Sequence, residues 1–308
     1  MLATSHTFHD RLFKRWSWSS AMLIGAIMIA IFATLIGGAY PAIKAFGIDF
    51  IFSTQWDPMQ SLYGAGNALY GTLVSSLIAV IIAAPLGIII AVCLSEFMPS
   101  WLAKPISMAI ELLSAIPSII YGMWGLFVFA PWFAAGPQWW IIQHVSGLPI
   151  VGALFGGAPL GQGLFTAGLI LAMMILPIIT ALIKEALSTL PPVLREASYG
   201  IGAHSFEVIL YVLLPAIKSA ILGAFILALG RALGETMAVT FVIGNSQEIN
   251  ASLFMPATSI SATIANQFNE AEGIKMSTLL ALGVVLFIVT LIVMGYARIK
   301  LRQGELKK

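Results

Sequence analysis

Six apolar stretches, each about as long as a bilayer core is thick, divide this 308-residue chain. They lie near residues 20–43, 68–95, 106–133, 164–183, 216–244 and 276–297. A helix crosses a ~30 Å hydrocarbon core with about 20 apolar residues. In lipid the backbone must satisfy its own polar groups, so such stretches are restricted to helices. Composition agrees: 59% of residues are hydrophobic and 9% charged, where soluble domains are about one quarter charged. The expected fold is an all-α integral membrane bundle of six transmembrane helices.

Several function classes are excluded at this point. A net charge of +2, without a basic tract or a base-stacking module, gives no nucleic-acid partner. Membrane lipid is the medium the surface must match. Cys93 is the only cysteine, so no disulfide or cysteine-based metal framework forms within the chain. It is expected to sit as a small buried hydrophobe. No Gly-Lys dipeptide occurs, so the chain has no P-loop and does not bind ATP by that device. His6, His9, His144 and His204 are scattered, no H-E-x-x-H is present and no nucleophile elbow is evident. The chain therefore reads as no enzyme, with no cofactor or metal of its own. Repeats of 20–50 residues are absent, and the two halves do not resemble each other, unlike an inverted-repeat carrier.

The first apolar stretch follows Arg11, Lys14 and Arg15, in the manner of a signal peptide. It is longer than a signal core and ends at Tyr40-Pro41 without a small-residue cleavage site, so it reads as a retained span. With the N-terminus inside, the inner segments hold Arg11, Lys14, Arg15, Lys104, Lys184, Arg195, Lys218, Arg298, Lys300, Arg302, Lys307 and Lys308, and the outer ones only Lys44 and Lys275. That asymmetry places both termini in the cytoplasm. Residues 1–66 then form a tail, a first span and an outer segment. Residues 67–298 form a five-span core, and 299–308 a basic tail. The outer segments 44–67, 134–163 and 246–272 exceed ordinary bundle connections. They serve either as decoration or as a platform for an outside partner. Trp139-Trp140 within the second has interfacial character.

The inner loop from Lys184 to Lys218 reads as helix, turn, helix. Pro191-Pro192 suits a first turn, Gly200 and Gly202 break the helix, and Ser205 is a plausible N-cap, with Glu207 in the first turn behind it. Val193, Leu194, Tyr199, Ile201 and Phe206 supply apolar knobs. Glu196-Ala197-Ser198, three residues, Gly202, nine residues and Val212-Leu213-Leu214-Pro215 resemble the EAA loop of ABC importer permeases. Ser198 and Val212 depart conservatively from Ala and Ile. The resemblance implies a coupling helix, carried by Arg195, Glu196, Ala197, Ser198, Gly202, Leu214 and Pro215, that fits a groove on a separate ATPase.

Inside the fifth stretch the only charges are Arg231 and Glu235. Arg231 lies about 20 Å along a helix from Lys218 at ~1.5 Å per residue, past the middle of the bilayer. A charge at the centre costs at least ~2.5–3.5 kcal/mol and usually faces a cavity or a partner. Two readings stand. Four positions apart on one helix face, the two form a local ion pair, although basic-first is the poorer order. Alternatively they line a solute path. The guanidinium fork suits an oxyanion, and Glu235 either holds the arginine or takes a proton from the anion. Gly230 and Gly234 have the G-x-x-x-G spacing of close helix packing. Glu111 lies near the inner end of the third span, where snorkelling explains it, and Pro117 would kink that span.

Residues 230–245, GRALGETMAVTFVIGN, resemble PstC-type phosphate permeases of type I ABC importers. So do Glu111–Ser118 with Ile119–Leu126, Leu148–Phe155 and Ala251–Pro256. The likeness runs from about Trp56 to the end of the sixth span. It implies a type I importer bundle and a role for Arg231 and Glu235 in transport. It also implies three kinds of partner outside this chain: a second, PstA-type permease, two PstB-type ATP-binding subunits and an extracytoplasmic PstS-type phosphate-binding protein, in a bacterial inner membrane. Sulfate or molybdate is the alternative cargo, and a motor-free phosphate carrier or channel the alternative class.

Overall fold

Long helices dominate because four of the apolar stretches propagate without interruption. The computed structural model describes residues 8–145 and 147–306. In chain order, the helices are α1 (Phe8–Phe46), α2 (Gly66–Phe97), α3 (Ser100–Ala115), α4 (Ser118–Val145), α5 (Pro149–Phe155), α6 (Leu164–Ser188), α7 (Pro192–Gly200), α8 (Ser205–Ala216), α9 (Lys218–Leu233), α10 (Met237–Val242), α11 (Ile260–Gln267) and α12 (Gly273–Leu306). A hairpin of β1 (Trp56–Asp57) and β2 (Leu62–Tyr63) lies between α1 and α2, with Trp56 opposite Tyr63. Among the described residues five helices are long and apolar enough to span a membrane, and α8 with α9 makes a sixth span bent by 70°. The side chains of His6, His9, Arg11, Lys300, Arg302, Lys307 and Lys308 lie outside the described residues.

The expected third span is displaced. It does not run over residues 106–133 but over Ser118–Val145. Ile116 and Pro117 are extended, with ψ of 128° and 136°, because a proline biases the residue before it away from the helix. Glu111 therefore belongs to α3, a separate helix ahead of the span. Trp139 and Trp140, expected on a separate interfacial segment, lie on the last turns of the span itself. The predicted kink at Pro117 is a full break. The Tyr121 hydroxyl closes it by donating to the Leu113 carbonyl at 2.8 Å.

The fifth span is also not one helix over 216–244. It bends at Ile217 after Pro215 and is interrupted again at Gly234–Thr236 between α9 and α10. Cys93, expected to be buried, is exposed on the outside of α2, a position open to lipid in the membrane. Its burial fails because Cys93 starts the π-helical turn Cys93–Phe97, which turns Leu94 inward in its place.

In lipid the apolar surface of a helix gains nothing from leaving solvent, so small residues and close packing set the contacts. The core follows this logic: α2 and α6 pack along Ala79, Ala83, Ile175, Ile179 and Ile183, and α9 adds Ala224, Ala228 and Ala232. A second cluster joins α1 to α12. There Phe32 stacks on Phe287 at 4.6 Å, and the Ser277 hydroxyl donates to the Gly38 carbonyl at 2.8 Å while accepting from the Ala42 N–H at 3.0 Å.

Candidate coupling loop and substrate path

The loop between α6 and α9 folds as the sequence predicts, with one shift. Pro192 occupies the first turn of α7, and Gly202 adopts φ +89°, which turns the chain toward α8. The cap of α8 is His204 rather than Ser205. The Glu207 carboxylate reaches back to accept the His204 N–H at 2.8 Å, as in a capping box, and that contact moves the helix start one residue forward. Val193, Leu194, Tyr199, Ile201 and Phe206 are all exposed, Ile201 at 88%. Glu196, Ala197 and Gly202 share that exposure. α7, its turn and the start of α8 thus carry a row of large apolar side chains left uncovered among the described residues.

Two residues expected in the coupling surface face the other way. Ser198 is buried and donates to the Leu194 carbonyl at 2.7 Å, so a small side chain is what this position admits. Arg195 turns toward the bundle. Its Nη2 lies 2.8 Å from Glu96 Oε1 and its Nε 3.2 Å from Oε2. The same guanidinium donates to the carbonyls of Leu187 at 3.1 Å and Leu190 at 3.4 Å. The hydrogen bond to Glu96 raises the Arg195 pKa, and burial opposes it in part. Arg195 therefore fastens α7 to the end of α2, to the last turn of α6 at Leu187 and to the link at Leu190. Leu214 is half-buried and Pro215 exposed at the turn before the 70° bend. Sequence reasoning missed Glu96, although it is the sole acid between Asp57 and Glu111. At the edge of an apolar run it reads as a boundary residue.

The charged pair is separated by the second break. Arg231 ends α9, and Glu235 lies in the unwound Gly234–Thr236 turn. The shared helix face assumed from their spacing is absent, and no ion pair joins Arg231 to Glu235. The reason is local: Gly234 ends the helix, so the i,i+4 geometry is lost. Gly234 makes no close packing contact, and Gly230 faces only the flexible end of Met294, so the G-x-x-x-G spacing does not mark a tight helix pair. Arg231 is exposed on this chain and Glu235 half-buried.

The unwound turn is held from the opposite direction. Ser261, 6% exposed on α11, donates its hydroxyl to the Glu235 carbonyl at 2.7 Å. α11 is not a surface loop element: Ile260, Ser261, Ala262 and Thr263 are buried, and Ser259 caps it by accepting the Ala262 N–H at 3.1 Å. The Ile260 N–H in turn donates to Thr72 on α2 at 2.9 Å. Sequence reading placed all of 246–272 in an outer segment. The alternation of Ser and Thr with small apolar residues at 257–263 was the available sign of a buried element.

The other two outer motifs meet. Leu253 N–H donates to the Leu154 carbonyl at 2.8 Å, and the Ser252 hydroxyl to the Gly156 carbonyl at 2.5 Å. Phe254 packs against Phe155, Phe165 and Phe133 with ring centroids 5.3–5.8 Å apart. These segments make a fixed surface rather than loose decoration.

Residues 83–302 match the family described as binding-protein-dependent transport system inner membrane component. The phosphate transport system permease protein PstC of Haemophilus influenzae is 46% identical over 99% of this chain and 96% of its own length. The chain belongs to the PstC permease family. The PstC protein of Mesorhizobium japonicum is 48% identical over 94% of this chain and 89% of its own length. A subunit of a bacterial alginate ABC transporter, solved in complex with an alginate pentasaccharide-bound periplasmic protein, superposes with a TM-score of 0.61 at 17% identity, over 95% of this chain and 96% of that one. That likeness gives the PstC-family chain the fold of ABC transporter permeases, and the family match with its apolar helices makes it an integral membrane protein, the bent α8–α9 pair counting as the sixth span.

Proposed function

We propose that this chain is one of two permease subunits in an ATP-driven, binding-protein-dependent importer of inorganic phosphate. The observation that carries the proposal is near-complete alignment at 46% identity with a protein named as a phosphate transport permease. The geometry supplies the parts such a subunit needs. The exposed face of α7 takes a groove on a PstB-type ATPase, of which two copies bind the ATP that this chain does not. Arg195 passes the movement of α7 to α2 and α6 as a rigid-body displacement. The packed surface around Phe254 receives a PstS-type phosphate-binding protein. Arg231, exposed on the isolated chain, faces a cavity completed by a PstA-type permease. There its fork of donors matches a phosphate oxyanion, with Glu235 beside it. Both termini lie in the cytoplasm of a bacterial cell whose inner membrane holds the complex.

The test is uptake by proteoliposomes containing all four subunit types. Phosphate should accumulate with active ATPase and stop when the ATPase binds but does not hydrolyse ATP. Persistent accumulation with the inactive motor would overturn the reading in favour of a motor-free carrier.

A further inference from the structure

We infer that a single ordered water joins α3 to α6 at the basic end of the bundle, held between Ser107 and Thr180. Both side chains are buried, Ser107 at 5% and Thr180 at 1% exposure. Neither hydroxyl has a hydrogen-bond partner in the protein. Among the described residues Ser76 on α2 is the one other buried hydroxyl without a partner. A serine or threonine in a helix can donate to a carbonyl one turn back, and Thr72, Ser75, Ser114, Ser188, Ser198 and Thr240 all do so at 2.6–2.8 Å. Ser107 and Thr180 decline that bond, on two different helices, and line the same small cleft.

The cleft has the size and chemistry of one water. The space open to a water-sized sphere is about 10 Å³, the lower limit for a single water site. Its walls are Leu94, Ile110 and Ala181, with Glu111 and Lys184 completing the lining. A buried water needs two to four polar partners. The two hydroxyls provide one donor and one acceptor, and the carboxylate and ammonium groups balance each other in charge. A metal cation is disfavoured by Lys184 and by the absence of any three-carboxylate, histidine or cysteine cluster among the described residues. An unpaired buried hydroxyl is costly, and one water relieves two of them together.

The position gives the water a mechanical role. α3 precedes the extended break at Ile116–Pro117, and Arg195 grips the Leu187 carbonyl in the last turn of α6. A bridging water lets α3 shift against α6 without exchanging a direct hydrogen bond. The site depends only on the geometry of this chain and does not require the transport reading above.

A structure of the assembled transporter at a resolution that shows waters is the direct test. Density is expected at hydrogen-bond distance from both Ser107 Oγ and Thr180 Oγ1. Hydroxyls turned back onto Ala103 and Leu176, with an empty cleft, would overturn the proposal. A thermal-unfolding cycle on the purified complex gives an independent reading. Ser107→Ala and Thr180→Val should each lower the Tm, and the double variant should lower it no further than the worse single, because either change already loses the water. Thr180→Ser should match the parent. Strictly additive losses, or a Thr180→Ser as damaging as Thr180→Val, would overturn it.

Discussion

The Arg195 guanidinium grips the Glu96 carboxylate side-on, with contacts of 2.8 and 3.2 Å across 99 residues of sequence. The short helix α7 is therefore bolted to α2 and α6 and does not hang from its two connections. A lysine could keep the charge but not the fork. Arg195→Lys should lower phosphate uptake per ATP hydrolysed by about tenfold, the scale of one charge-assisted bond worth ~1.5 kcal/mol. The ATPase should remain bound. Reconstituted transport beside ATPase assays checks this, and an unchanged ratio would free Arg195 of the coupling role. The swap of Arg195→Glu with Glu96→Arg should recover part of the loss.

Arg231 is the exposed charge at membrane depth. Arg231→Gln should abolish uptake while the permease pair still assembles and inserts. Because no ion pair with Glu235 exists in this chain, the loss cannot come from breaking that pair. Normal uptake in the variant would return Arg231 to a structural role.

Ser261 holds the unwound turn through the Glu235 carbonyl at 2.7 Å. Ser261→Ala should leave that part-buried carbonyl short of a donor, at about 1 kcal/mol, and reduce maximal uptake more than apparent phosphate affinity. Ser261→Thr keeps the hydroxyl and should restore most of the rate. A threonine variant no better than alanine would show that bulk, not the hydrogen bond, matters there.

Gly122 brings α4 against α10. A Cβ at this position would lie 2.9 Å from the Ala238 Cα and 2.9 Å from a ring carbon of Phe241. Backbone cannot give way as a side chain can, so Gly122→Ala should destabilise by about 1–3 kcal/mol, as overpacking does. The checking measurement is the thermal midpoint of the purified complex, which should fall.

Gly202 tests the turn itself. Its φ of +89° penalises any side chain, yet no atom lies within 4 Å of where a Cβ would sit. Gly202→Ala should cost about 1–2 kcal/mol of local backbone strain and weaken ATPase recruitment without a steric clash. Co-purification of the ATPase with the variant permease reads this out, and full recruitment would show that the turn tolerates the strain.

Four of six spans were legible because long uncharged runs leave the backbone one way to pair its polar groups. The third and fifth were not, and the cause is the same. Pro117 and Gly234 stand inside apolar sequence that hydropathy reads as continuous, while the backbone responds to single residues. The EAA spacing located the turn at Gly202, but not the direction of Arg195. That direction depends on Glu96, which is remote in sequence. The Arg231–Glu235 pairing looked sound on an ideal helix and failed once Gly234 ended it. Ser261 was invisible for a related reason: its partner is a main-chain carbonyl that exists as a free acceptor only because the helix is broken.

The break after Leu233 has a consequence for how the chain is made. α9 is 16 residues long, about 24 Å at ~1.5 Å per residue, so the unwound turn and Arg231 fall within the thickness of the bilayer. Irregular backbone and an exposed guanidinium do not face acyl chains without a cover of protein or water. Synthesised alone, this span is a poor substrate for stable insertion. The exposed turn needs a cover of protein or a water-filled path before this span is stable in lipid.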